Sequence, residues 1–322
     1  MATLRTIRLR IKGTKNIKQI TRAMEAVSAV KMRKSQQVAL AARPYATAAL
    51  RLLKSIHGSS VEGGILSPLL EKRQVANTLL VVVTSDKGLA GPFNANVLKK
   101  AEVFIKGALD SRLRGNDSPV QVATVGKKAT EYFMRRGRTP IGSWMGYGDY
   151  AEIAEVEPVF EAVTEAFTSG KADEVFIVYT NFLSAMKQEV VVRKLLPFSE
   201  EGLEEMVKGI VPEKGKFSDT NAANYHANAT NSESTNVEYL FEPSPKEIFD
   251  SILPALLKIE IYHAILEANA SEHSSRMVAM RNATDNAGDL IKAYTVTLNK
   301  ARQAAINKEL AEITGGSEAL AN

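Results

Sequence analysis

The chain has 322 residues, no cysteine, and 41 Lys+Arg against 36 Asp+Glu, a formal net charge of +5. Zero cysteine excludes a disulfide framework, thiolate metal ligands, a cysteine nucleophile and thiol-based redox control, while 45% hydrophobic and 24% charged residues are ordinary for a globular protein of one to three domains. The longest aliphatic run, Leu79 to Val83, falls far short of the roughly 20 residues that span a bilayer, and no apolar core with a cleavage site opens the sequence, so a protein inside the cell with no secretory signal is expected.

Residues 1–54 carry 13 basic side chains and one acidic one, Glu25, a net of +12 against −7 for the remainder. A basic arm of this kind meets nucleic acid, a membrane surface or an acidic protein. The same segment reads as one long helix from residue 2 to about 56. Ile17, Ile20, Met24, Val27, Lys31, Lys34, Val38, Ala41, Tyr45, Ala48 and Leu52 step by three and four, the seam of a coiled coil. Lys31 and Lys34 interrupt that seam. Gly13 is tolerated at a cost, Pro44 bends the rod, and the turn formers from His57 to Ser60 end it.

The middle of the chain alternates strand and helix signals. Asn77–Thr84 is an aliphatic run of buried-strand type, Pro92–Gly107 suits a helix, Val120–Val125 a strand, and Lys127–Arg136 a helix. Ile153 to Phe167 marks a third helix, followed by strands at Glu174–Thr180, Gln188–Leu195 and Val237–Phe241. Alternation of this kind predicts a layered α/β domain. Pro119, read as marking a sheet edge, and a hairpin near Leu183–Lys187 predict a mixed sheet. Two polar stretches, 110–118 and 218–236, read as inserts, the second a mobile loop without aliphatic residues.

A second long helix runs from about Lys246 to Ile313, after Pro243-Ser244-Pro245. From Leu266 through Ala270, His273, Met277, Met280, Thr284, Ala287, Ile291, Tyr294, Leu298 and Ala301 to Ala305 the steps again alternate between four and three. At 1.5 Å per residue this helix is on the order of 100 Å long and the N-terminal one about 80 Å, so part of the pair projects. Packing the two seams antiparallel buries both. The resulting division is 1–57 for the first coiled-coil helix, 58–243 for the α/β domain, and 244–322 for the second helix and its tip.

Little in the sequence points to catalysis. Thr84-Ser85-Asp86-Lys87-Gly88-Leu89-Ala90-Gly91 follows a strand and precedes a helix, where α/β proteins hold phosphates. Its Lys precedes Gly and its glycines are three apart, which fits neither a P-loop nor a dinucleotide turn. It reads instead as a tight turn with a surface role. His57, His226, His263 and His273 lack the i, i+4 spacing of a metal pair, and Glu200-Glu201 and Glu204-Glu205 read as solvated helix faces. No metal, cofactor or catalytic residue is expected. Ser274, Ser275, Arg276, Arg281, Asn282, Asp285 and Asn286 form a polar ring on the second helix, suited to ion pairing or to plain solvent exposure.

Ile17–Ser35 (IKQITRAMEAVSAVKMRKS), Thr84–Asn94 (TSDKGLAGPFN), Ser271–Ala287 (SEHSSRMVAMRNATDNA) and the tail Asn299–Leu320 resemble signature segments of the gamma subunits of F-type ATP synthases. The resemblance implies a long antiparallel coiled coil of the terminal helices and a central Rossmann-like α/β domain with a mixed sheet. It implies a non-catalytic rotor shaft coupling proton-driven rotation of a membrane c-ring to ATP synthesis and hydrolysis in an alpha/beta hexamer. The partners implied are the alpha and beta subunits, an epsilon subunit and the c-ring, with peripheral attachment at the cytoplasmic face of a bacterial inner membrane. Met24, Lys31, Arg33, Lys34, Lys87, Arg276, Arg281, Asn282 and Asp285 become candidates for the rotor–stator interface, and Ile306, Leu310 and Ile313 for an apolar bearing at the tip. Ser274 and Ser275 stand where the family usually has Ala or a similarly small residue, and the cysteine-bearing insert of chloroplast relatives is absent. The alternatives are a nucleic-acid-binding protein using the basic helix, disfavoured because Tyr45 is the only aromatic in residues 1–54, and a nucleotide-handling enzyme built on Ser85–Gly91.

Overall fold

The structure, a computed structural model, describes residues 4–41, 67–71, 73–112, 120–148, 152–198 and 245–321. The expected bend at Pro44, the helix end near His57, the insert at 218–236, the strand at 237–241 and most of the insert at 110–118 lie outside these residues, as do His57 and His226. By contacts the chain divides into two compact units, Val30–Ser275, and Met1–Ala29 with Arg276–Asn322. The division cuts inside both long helices, α1 (Leu4–Ala41) and α5 (Pro245–Ala321).

The first unit is built on β1 (Thr78–Val83), β2 (Val120–Val125), β3 (Gly142–Trp144), β4 (Glu174–Phe182) and β5 (Gln188–Leu196). Between them lie helices α2 (Phe93–Arg112), α3 (Lys127–Met134) and α4 (Glu157–Thr168). The strands form one sheet in the order β3-β2-β1-β4-β5. Strand β1 is parallel to β2 and β4, β2 is parallel to β3, and β5 alone runs antiparallel, beside β4. Every residue of β1 is buried, as befits a strand flanked on both edges and covered on both faces. Alternate residues point to opposite faces. Leu80 and Val82 pack with Val97, Ala101 and Ile105 of α2 and Ala129 and Phe133 of α3. Leu79, Val81 and Val83 pack on the other face with Val159, Val163 and Phe167 of α4 and with Leu253, Leu256, Leu257, Ile261 and Ala264 of α5. The early part of α5 thus serves as a sheet-covering helix.

The structure differs from the sequence reading at three places. The strand after Pro119, β2, is not a sheet edge: it lies between β1 and β3, and the edges are β3 and β5; Pro119 itself lies outside the described residues. Strand β3 escaped the sequence reading because it is only three residues long, with a single aromatic and no alternation. The segment beginning at Ile153 opens as a 3-10 turn, Ile153–Val156, before α4. The hairpin is as expected, β4 and β5 closing through mutual backbone bonds between Ser184 and Lys187.

In the second unit the two helices run antiparallel. Thr21 Oγ1 lies 2.7 Å from Thr284 Oγ1, and Lys18, one turn earlier, stands against Gly288, one turn later. On α5 the shielded positions are Met280, Thr284, Ala287, Ile291, Tyr294, Leu298, Ala301 and Ala305, the seam read from the heptads. On α1 the seam is shifted. The shielded positions include Ile7, Ile11, Thr14, Lys18, Thr21, Met24, Glu25 and Ser28; of the expected seam residues Ile17, Ile20, Met24 and Val27, Met24 is shielded, while Ile17, Ile20 and Val27 are 55%, 59% and 54% exposed. A 3.5-residue period fits both stripes, and hydropathy selects the wrong one. The inner stripe is rich in hydroxyl residues, whose small side chains let the helices approach and whose oxygens find partners: Thr284 donates to Met280 O at 2.8 Å, and Thr14 to Arg10 O at 2.9 Å.

Candidate functional site

The loop after β1 is held by its own side chains. Asn94 Oδ1 accepts from Ser85 N at 3.0 Å, and Ser85 Oγ donates to Lys87 O at 2.6 Å. Thr84 Oγ1 accepts from Ala129 N at 2.9 Å, and Asp86 Oδ1 accepts from Lys127 N at 2.9 Å. The amides that open α3 are therefore taken by Thr84 and Asp86, in the place where an α/β nucleotide protein presents them to phosphate. The glycine that lets these parts meet is Gly126. Its φ is +98°, and a Cβ there would come within 2.1 Å of Thr84 O.

Above this scaffold stand Lys87, Gly88 and Leu89, all exposed. Leu89 is 64% exposed and its φ is +64°, a left-handed conformation that costs a branched residue on the order of 1–2 kcal/mol. An apolar side chain displayed on a strained backbone suits contact with another surface. The sequence reading singled out Lys87 but not Leu89, since a leucine in a loop carries no chemical signal by itself.

The remaining interface candidates divide between the two units. Lys31, Arg33 and Lys34 belong with Lys87 to the sheet unit; Arg33, Lys34 and Lys87 are exposed and Lys31 is half-buried. Met24, Arg276, Arg281, Asn282 and Asp285 belong to the helical pair. Arg281, Asn282 and Asp285 are exposed, Met24 is half-buried, and Arg276 is only 7% exposed, so its guanidinium is not displayed as an open surface cation. The tip candidates Ile306, Leu310 and Ile313 are 43%, 56% and 68% exposed.

Ser274 and Ser275 are not part of a solvent-facing ring. Ser274 Oγ donates to Ala185 O at 2.6 Å, Ser275 Oγ donates to Gln188 Oε1 at 2.7 Å, and Gln188 Nε2 donates to Ser274 Oγ at 3.1 Å. With Ser271 Oγ donating to Thr180 O at 3.1 Å, they pin the β4–β5 hairpin to α5, a task alanine cannot perform. His273, expected as an isolated polar or seam residue, bonds through Nε2 to Gly148 O at 3.1 Å. A carbonyl only accepts, so Nε2 carries the proton.

A buried ionisable cluster joins α5 to the last two strands, and sequence reasoning missed it because its members are far apart in the chain. Burial pushes the Glu260 carboxyl up to about 8 against the opposing charge of Arg193. Burial also raises the Tyr179 phenol well above its ordinary value, helped by Glu267, and His263 Nε2 lies 3.9 Å from Glu267 Oε1. Among the described residues no group of three or more His, Asp or Glu side chains has the arrangement of a metal site, and no described helix is long and apolar enough to cross a membrane.

A family model described as ATP synthase matches residues 3–320. The ATP synthase gamma chain of Chloroflexus aurantiacus is 40% identical over 321 residues, covering 99% of each chain. That of Pelotomaculum thermopropionicum is 38% identical over 325 residues, covering 99% of this chain and 100% of the relative. Among solved structures, the fold is similar to a chain of the Euglena gracilis mitochondrial ATP synthase rotor (TM-score 0.57, 18% identity, 94% of this chain and 98% of that one). It is also similar to a chain of the Tetrahymena thermophila mitochondrial ATP synthase central stalk and c-ring (TM-score 0.54, 20% identity, 82% and 99%). A full-length match to gamma chains displaces the nucleic-acid-binding alternative, and the chain belongs to the ATP synthase gamma chain family.

Proposed function

We propose that the chain is the central rotor shaft of an ATP synthase, a non-catalytic subunit that couples rotation of a membrane c-ring to ATP synthesis and hydrolysis in an alpha/beta hexamer, with an epsilon subunit beside it. The observation that carries this reading is the relation to gamma chains at 40% identity across 99% of both chains. The exposed stripe Ile17, Ile20 and Val27 supports it. Apolar residues in line on the outside of a helix pair call for a surrounding surface, and a ring of alpha and beta subunits supplies one. The same reading puts the chain at the cytoplasmic face of a bacterial inner membrane, attached through its partners.

Within this reading Met24, Lys31, Arg33, Lys34, Lys87, Arg281, Asn282 and Asp285 form the rotor–stator interface, the largely buried Arg276 supports it from within, and Ile306, Leu310 and Ile313 run in an apolar bearing. A rotor must not be trapped at one angle, so its contacts should be individually weak. Exposed ion pairs worth about 0–1 kcal/mol each suit that need. Arg281→Ala, at an exposed position, is expected to lower the ATPase rate of the assembled complex without preventing assembly; an unchanged rate contradicts its role. Co-expression with the alpha and beta subunits tests the whole reading. The chain is expected to co-purify with them as an active ATPase, and a chain that elutes alone contradicts the proposal. Because Thr84 and Asp86 already hold the α3 amides, the isolated chain is expected to bind no ATP at equilibrium.

A further inference from the structure

Between β3 and the 3-10 turn before α4 lies the segment Met145–Gly148, outside any strand or helix. It is tied on two sides. On one side α5 reaches it twice: Asn269 Nδ2 donates to Tyr147 O at 2.6 Å, and His273 Nε2 donates to Gly148 O at 3.1 Å. On the other side Gly146 N donates to Asp86 Oδ2 at 2.8 Å, while the second oxygen of Asp86 holds Lys127 N at 2.9 Å. Tyr147 adds a bond from its hydroxyl to Glu155 O at 2.8 Å. Asp86 immediately precedes Lys87, so a continuous path of hydrogen bonds and backbone leads from α5 through this segment to the exposed Lys87-Gly88-Leu89 loop. Asn269 and His273 are buried; of the segment itself Met145 is 51% exposed and Gly146 is exposed, while Tyr147 and Gly148 are half-buried, Tyr147 against the core. Packing holds the Tyr147 ring, and these bonds fix the backbone of the segment on both sides.

We infer that Asp86 is a positioning residue for rotary coupling, acting with Asn269 and His273 to clamp Met145–Gly148 between α5 and the Lys87-Gly88-Leu89 loop; this rests on the rotor reading above. A shaft that turns α5 against resisting partners loads every contact surface attached to it. A loop joined to α5 only through the sheet can lag behind the helix. A loop braced directly to buried side chains of α5 follows it. The sheet unit holds a natural comparison in Asp173, whose Oδ2 accepts from Ala76 N at 2.8 Å and Asn77 N at 2.7 Å. Asp173 thus ties two backbone amides, as Asp86 does, but its bonds lead to neither α5 nor the exposed loop. If Asp86 were no more than a backbone clip, removing either carboxylate would have the same consequence.

The test uses the complete complex in membrane vesicles and reads ATP-driven proton uptake per ATP hydrolysed. Asp86→Asn keeps at most one of the two accepted bonds, because an amide nitrogen only donates. It is expected to assemble, to hydrolyse ATP and to take up about threefold fewer protons per ATP, the scale of mutations along a coupling network. Asn269→Leu, which removes the grip on Tyr147 O from the other side, is expected to lower the ratio in the same direction and carries the test if Asp86→Asn does not assemble. Asp173→Asn is expected to lower thermal stability while leaving the ratio at wild type. A wild-type ratio in the assembled Asp86 or Asn269 variant overturns the inference, and so does an equal fall in Asp173→Asn. Vesicles with the wild-type chain that show no ATP-driven uptake at all contradict the rotor reading, and the clamp with it.

Discussion

Gly126 has no room for a side chain: a Cβ would lie 2.1 Å from Thr84 O, and φ is +98°. Gly126→Ala is expected to destabilise the chain by at least about 2 kcal/mol, from backbone strain and displacement of the loop after β1, measured by urea unfolding. Glu260 makes a prediction with a pH sign. Its pKa is about 8 in the folded chain against an ordinary 4.5, because burial disfavours the carboxylate more than Arg193 favours it. The folded state therefore holds this proton more tightly than the unfolded one. The stability it confers is complete below about 4.5, falls as pH rises toward 8, and levels off above that value. Glu260→Gln should flatten this part of the stability–pH curve, whose slope from one group is at most about 1.4 kcal/mol per pH unit. An unaltered slope in the variant would assign the dependence to other groups. Neither residue announces itself in the sequence, since both effects arise from neighbours brought close by the fold.

At the scale of elements, the helical pair shows how far hydropathy carries. On α5 the stripe from Met280 to Ala305 is the most apolar one available and also the buried one. On α1 the apolar residues Ile17, Ile20 and Val27 face outward, and after Ile7 and Ile11 the inside is lined largely by hydroxyls and a lysine. Periodicity reports that a seam exists but not which of two stripes is covered inside the chain and which by a partner. The Thr21–Thr284 contact at 2.7 Å tests the corrected register. Thr284→Val keeps the shape and should cost about 1 kcal/mol, whereas Thr21→Val with Thr284→Val should cost less than the sum of the single changes. Strict additivity would show that the hydroxyls do not meet. The outward stripe makes the converse prediction. Ile20→Asn should change the stability of the isolated chain by no more than about 0.5 kcal/mol, yet weaken its retention by the alpha and beta subunits in a salt-independent way. Equal retention of variant and wild type would place the stripe away from any partner.

Across the whole molecule, the α/β alternation and the two long helices were legible because each depends on local periodicity. Strand order was not legible, because the parallel neighbours of β1 come from segments about 40 and 95 residues away, a separation that periodicity does not span. Of the candidate site, Lys87 and the exposed polar residues of α5 stood out by charge and by family resemblance. The clamp around Met145–Gly148 did not, since Asp86, Asn269 and His273 gain their roles from backbone groups that carry no sequence signal. The absence of cysteine allows a single labelled site for the decisive measurement. Met186, 84% exposed at the tip of the β4–β5 hairpin, can be changed by Met186→Cys to carry one optical probe on the sheet unit. With the alpha/beta hexamer fixed to a surface and ATP supplied, the account predicts that this probe turns continuously in one direction. A probe that stays fixed while the same complexes hydrolyse ATP would contradict it.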